Sequence, residues 1–166
     1  MENQEQYKAR ILALVEGKDS LAVQRTAVKD LAELIAGIPA EKLHQRPAPD
    51  RWSVAEILAH LSETEIVSSW RYRQMIEHSG TPLPSYDQDL WEALGEYSSR
   101  DAEKSLQVFQ SLREANLRMF DRLTPEQWQC YGMHAERGRM SVADLARQVA
   151  GHDINHIEQI RKAVAR

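Results

Sequence analysis

Apolar residues along this chain recur in steps of three and four and never in sustained alternation, so the pattern predicts helices and no strands. A short amphipathic stretch runs from Gln6 to Glu16 and ends at Gly17. A longer one, from about Ser20 to Ala36, carries Leu21, Val28, Leu31, Leu34 and Ile35 before Gly37 and Pro39 stop it. The segment Arg46-Pro47-Ala48-Pro49-Asp50 is a loop, because each proline pushes its predecessor toward extended geometry. Ser53 then opens a second long helix, with Glu56 three residues on to complete a capping box, and this helix is predicted to reach about Glu77.

The connection from Ser79 to about Ser99 is long for a bundle and is expected to hold a helical turn within Asp89 to Leu94. A third helix follows from roughly Asp101 to Leu123, presenting Leu106, Phe109, Leu112, Leu117 and Phe120. Gly132 to Gly138 reads as irregular, and a fourth helix opens at Ser141, with Asp144 three residues later, and runs to about Val164. Arg51-Trp52-Ser53-Val54-Ala55-Glu56-Ile57 and Arg139-Met140-Ser141-Val142-Ala143-Asp144-Leu145 echo each other, so the second and fourth helices should enter the fold in similar ways. The whole predicts an all-α, four-helix bundle of up-and-down type with a long crossover, one domain over residues 1–166.

Composition changes this picture little. The 42% hydrophobic and 28% charged content suit a soluble globular protein, and no apolar run approaches the ~20 residues that cross a bilayer. Met1 to Arg10 are polar and mixed in charge, with no export signal, which leaves a cytoplasmic location as the expectation. With 21 basic against 25 acidic residues there is no global field for a polyanion, so neither nucleic acid nor a membrane is an expected partner. The single cysteine, Cys130, cannot form an internal disulfide and reads as packing beside Trp128 and Tyr131.

The candidate chemistry lies in three histidines. His152 and His156 sit about 40° apart around a helix and ~6 Å apart along it, and they interrupt an apolar stripe of Val142, Leu145, Val149 and Ile160. His60 interrupts another stripe, beside Ile57, Leu61, Thr64 and Val67. Each ring alone could simply bond a carbonyl or carboxylate, but three inward imidazoles in one small core need a common partner, and a divalent metal ion supplies one. Three such ligands leave coordination positions open for water or substrate. Glu56, Glu63 and Asp153 are near enough in sequence to orient the ligands, though each reads first as a solvated or capping residue. His44, His78 and His134 fall in loops or at helix ends, with a surface role as the default.

Trp52-Ser53 followed by Glu56-Ile57-Leu58-Ala59-His60-Leu61, then Gly132-Met133-His134 with Gly138 ahead of Ser141, and finally Gly151-His152-Asp153-Ile154-Asn155-His156-Ile157-Glu158-Gln159-Ile160, resemble the DinB/YfiT-like superfamily. The resemblance spans about Pro47 to Val164. It implies a four-helix bundle with a divalent metal, zinc or nickel, held by one histidine of the second helix and two of the last, positions that fall on His60, His152 and His156. It further implies a homodimer and a metal-dependent transfer of a low-molecular-weight thiol, of the bacillithiol, mycothiol or glutathione class, to an electrophilic small molecule. A metal-dependent hydrolase and a non-enzymatic stress-response module are the alternatives. Ala135 stands where the family pattern often has proline, which bears on the shape of that loop. Arg71, Tyr72 and Arg113 could grip a thiol's carboxylates, but read first as exposed helix positions.

Overall fold

Every long helix begins on a side chain that satisfies amides the helix itself leaves unpaired. In the computed structural model, which describes residues 3–165, α1 (Gln4–Leu14) is short, and α2 (Ser20–Ile35) is capped by Asp19, which accepts from the amides of Leu21 and Ala22. A single turn, α3 (Ala40–Leu43), precedes α4 (Val54–Glu77), whose Ser53 and Glu56 form the expected reciprocal box. The strand β1 (Thr81–Leu83) and helix α5 (Gln88–Leu94) lead to a 3-10 turn at Tyr97–Ser99 and then α6 (Ala102–Phe120), capped by Asp101. After α7 (Pro125–Gln129), strands β2 (Tyr131–His134) and β3 (Gly138–Ser141) run into α8 (Val142–Val164), which Ser141 and Asp144 cap in the same way as α4. Each such cap contributes about 1 kcal/mol. Among the described residues no helix is long and apolar enough to cross a membrane.

Helices α2, α4, α6 and α8 form the bundle. Around its perimeter α2 packs on α8, α8 on α4, α4 on α6 and α6 on α2, while α1 lies outside against α8. One apolar cluster joins the C-terminal halves of α2 and α8 (Leu31, Ile157) to the N-terminal halves of α4 and α6 (Leu58, Phe109). A second joins Met75 and Phe120, late in α4 and α6, to Leu145 and Val149, early in α8. Helices α4 and α6 therefore run one way and α2 and α8 the other. That is the physical reason for the long crossover, which must return along the bundle before α6 can start. Its far end is fixed by Tyr97, 1% exposed and in edge contact with Trp52 at the start of α4.

The helical bundle matches the expectation, and a small sheet is added to it. Strands β1 and β2 pair in parallel, β2 and β3 antiparallel, in the order β1-β2-β3. The stretch from Gly132 to Gly138, expected to be irregular, is thus a hairpin, and Ala135 lies in its turn. Strands of three or four residues are too short to show alternation, so periodicity could not reveal them. Gly132 makes the pairing possible, since a Cβ there would lie 2.5 Å from Cγ of Leu83 on β1.

Candidate metal centre

Between the two apolar clusters the core turns polar. His60 projects from α4, His152 and His156 from α8. Nε2 of His152 lies 3.0 Å from Nε2 of His60 and 3.1 Å from Nε2 of His156, and the three potential ligand atoms lie within 4.8 Å of one another. Nitrogens bound at ~2.0–2.1 Å to one ion, with angles between ~90° and 110°, sit about 3.0–3.4 Å apart, so the spacing fits a shared cation. His60 and His156 are 4% and 5% exposed, and His152 is half-buried.

Hydrogen bonding alone does not satisfy this cluster. Nδ1 of His156 meets Oε1 of Gln159 at 2.9 Å, an acceptor, so the proton sits on Nδ1 and the Nε2 lone pair faces the centre. His152 Nε2 then either donates to His156 or accepts from His60, and it cannot do both. A cation shared by three lone pairs removes the conflict. Protonation is also disfavoured: burial, then the neighbouring His156, holds His60 well below its ordinary value. Burial followed by His156 and His60 does the same to His152, and burial lowers His156 to about 4 despite the opposing bond to Gln159. Neutral imidazoles are the form that binds metals.

His60 and His156 open onto a cleft of about 1010 Å3, whose wall includes Arg10 and Trp52, Arg137 from the β2–β3 turn, and Asn155. Trp52 leans on His60 with ring centroids 5.0 Å apart, and Arg10 donates to Oδ1 of Asn155 at 2.7 Å.

Behind the histidines the structure corrects the sequence expectation for three residues. Arg71, Tyr72 and Arg113, expected to be exposed, are 5%, 0% and 0% accessible. Arg113 ties all four bundle helices together. It donates twice to Glu65 of α4 (3.0 and 2.9 Å) and twice to Asp153 of α8 (2.6 and 3.1 Å), and reaches the carbonyl of Gln24 on α2 at 3.3 Å. Burial opposes its charge, but Asp153 and Glu65 outweigh burial and keep the guanidinium protonated. Asp153, pushed up to about 6 by burial and held from rising further by Arg113, is therefore neither solvated nor a cap. Glu56 is a cap, buried and paired with Arg46, and Glu63 pairs with Arg100 at 2.6 Å.

The expected partner of a ligand histidine is instead the amide Gln159, one helical turn beyond His156 on the same face. The i,i+3 spacing of His156 and Gln159 is legible in the sequence, and the role falls to an amide where a carboxylate is the commoner partner. Of the other histidines, His78 is exposed and His44 contacts the carbonyl of Ser98 at 2.9 Å. His134 departs from the surface default and is 5% exposed. Cys130 is half-buried against the cluster containing Phe120 and Trp128, as expected for packing.

Fold and site thus define a helical bundle carrying a three-histidine cluster in an open cleft. The sequence model of the DinB superfamily matches residues 24–160, and the chain belongs to that superfamily. It is 22% identical over 140 residues to OB0413 of Oceanobacillus iheyensis, a protein provisionally named a metal-dependent hydrolase, with 84% of this chain and 80% of the relative aligned. Its fold is similar to that of YfiT from Bacillus subtilis, provisionally described as a metal-dependent hydrolase with an unusual four-helix bundle topology. The TM-score is 0.81 at 18% identity, covering 97% of this chain and 87% of that one.

Proposed function

We propose that the chain is a metal-dependent enzyme in which His60, His152 and His156 hold one divalent ion, zinc or nickel, and that it transfers a low-molecular-weight thiol to an electrophilic small molecule. The observation that carries this is the convergence of three neutral imidazole nitrogens on one point beside an open cleft lined by His60 and His156, with no carboxylate among the described residues hydrogen-bonded to any of the three. A divalent ion held there by the three histidines would favour the thiolate form of a thiol, or the ionised form of water, and so would supply a nucleophile near neutral pH.

The chain's own groups account for the rest. His156 is fixed in the required tautomer by Gln159, Trp52 packs against the His60 ring, and the wall at Arg10, Asn155 and Arg137 offers polar contacts to a substrate. In the transfer a carbon–sulfur bond forms, the bond from carbon to the leaving group breaks, and the thiol proton departs with the displaced group. Thiols give up that proton more readily than water, which suits a core whose buried carboxylates are committed elsewhere, Glu65 and Asp153 to Arg113 and Glu56 to Arg46.

Hydrolysis is the second reading, favoured by the names that both relatives carry. The discriminating experiment first measures metal content of protein purified without added metal. The loaded protein is then offered candidate thiols with an electrophile and, separately, a panel of esters and amides. Conjugation above the uncatalysed rate that is lost in His156→Ala is the expected result. Conjugation at the background rate, or unaffected by His156→Ala, refutes thiol transfer, and turnover of the ester or amide panel replaces it with hydrolysis.

A further inference from the structure

Arg71 has no structural partner adequate to its charge. Its guanidinium donates to the carbonyl of Pro84 at 2.7 Å and stands 3.3 Å from Nε2 of His134, while its Nε is buried without any partner. Both residues are 5% exposed. The Tyr86 ring, 5.9 Å away, is the one further group set against the cation among the described residues. A buried cation flanked by a carbonyl and two uncharged rings is costly, whereas Arg113, also buried, is neutralised by two carboxylates.

The second observation is a proton count at His134. Its Nδ1 lies 3.2 Å from the backbone N–H of Glu136, and its Nε2 faces the Arg71 guanidinium. A neutral imidazole has one N–H and one lone pair. Whichever nitrogen carries the proton, one N–H is left pointing at another donor. With the proton on Nε2 the ring accepts from Glu136 and its N–H faces the Arg71 guanidinium; with the proton on Nδ1 the ring accepts from Arg71 and its N–H faces the Glu136 amide, and in both tautomers the Arg71 Nε–H has no acceptor. Glu136, an acidic side chain that acts electrostatically on both residues, is exposed and makes no ion pair with Arg71.

The third observation is position. Arg71 lies on the same face of α4 as His60, eleven residues or roughly 16 Å further along, and its side chain leans back toward the N-terminal end of the helix. Thr64, between them on that face, also has a buried hydroxyl without a partner. Arg137 lines the cleft with His60 and His156, and its charge is felt by His152 at one end and by Arg71 and His134 at the other.

We infer that Arg71 and His134, buried within electrostatic reach of the cleft-lining Arg137, form with it an oxyanion subsite, binding a carboxylate or phosphate of the substrate while its reacting atom lies at the histidines. The planar guanidinium edge of Arg71 suits either group. The inference deepens the proposed function by defining the substrate class: an anionic molecule spanning on the order of 10 Å, about three extended residues.

The test uses the full-length, metal-loaded protein with two probes, inorganic phosphate and succinate. Binding is read as a rise in Tm and as movement of the Arg71 Nε–H resonance in 15N-arginine-labelled protein. At least one probe should bind, its preference telling phosphate from carboxylate, and Arg71→Gln and Arg137→Gln should each weaken it by ~10-fold or more. His156→Ala should lose metal yet keep the probe, so a failed metal assignment and a failed oxyanion site give different results. Arg71→Lys guards against a folding defect, retaining the charge and part of the binding. If no Arg71 variant folds, the wild-type resonance decides, and its indifference to both probes overturns the inference. So does binding that survives Arg71→Gln and vanishes in His156→Ala, which would place the anion at the histidines. Equal Tm losses in Glu136→Gln and Arg71→Gln, with neither probe binding, would identify Glu136 as the partner and exclude an external anion.

Discussion

Replacing Arg113 with methionine tests the polar layer that carries the histidine-bearing helix. Arg113 is 0% exposed, and its partners Glu65 and Asp153 are 2% and 1% exposed. Both carboxylates are gripped by paired donors from one guanidinium, and Asn116 adds a bond to Glu65 at 2.8 Å. Arg113→Met fills most of the volume but strands two buried carboxylates with no cation to replace the one lost. Breaking a buried pair from one side costs about 3–5 kcal/mol. For a chain of this length the unfolding entropy is about 0.35 kcal/mol per degree, so the loss corresponds to a Tm lower by roughly 9–14 °C. Urea and thermal unfolding followed by circular dichroism would measure it, in metal-free and metal-loaded protein alike. The triple variant Arg113→Met, Glu65→Met, Asp153→Leu should recover most of the loss, because burying apolar groups of similar volume leaves no charge unpaired. An Arg113→Met protein within about 1 kcal/mol of wild type would refute the claim that this layer holds the bundle together.

Three further outcomes follow from local geometry. Gly151 on α8 meets the backbone of Ile11 so closely that a Cβ would sit 2.2 Å from its carbonyl oxygen; Gly151→Ala should cost about 1–3 kcal/mol despite alanine's better helix propensity and free α1 for proteolysis, and a more stable variant would disprove the contact. Gln159→Leu removes the acceptor that fixes the His156 tautomer, and competition with a chelator should show metal affinity down by ~10-fold or more, an unchanged affinity ruling out that role. His134 is lowered from 6.5 to about 4 by burial, Arg71 and Arg137. Its stabilising contribution is therefore complete above pH 6.5, declines as the unfolded ring takes up a proton, and is gone once the folded ring is protonated near pH 4. The difference in unfolding free energy between wild type and His134→Gln should shrink across that window, and a constant difference would contradict it.

The sequence by itself determined the long helices, their starts and the identity of the clustered histidines. These are local properties: Ser53 with Glu56 and Ser141 with Asp144 specify helix starts within four residues, and the spacing of His152 and His156 places both rings on one apolar face whatever surrounds it. Only the tertiary structure decided that His60 meets them, because that contact joins residues ninety-two positions apart on antiparallel helices. The same holds for Arg113, whose arginine at an ordinary helix position looks solvent-bound until Glu65 and Asp153 arrive from other helices to neutralise it. Arg71 and His134 were likewise hidden, since the sheet that buries His134 is built from strands too short to leave a periodic trace. Helix periodicity and capping are written in neighbouring residues, whereas the burial of a charge depends on which distant segments the fold brings to it.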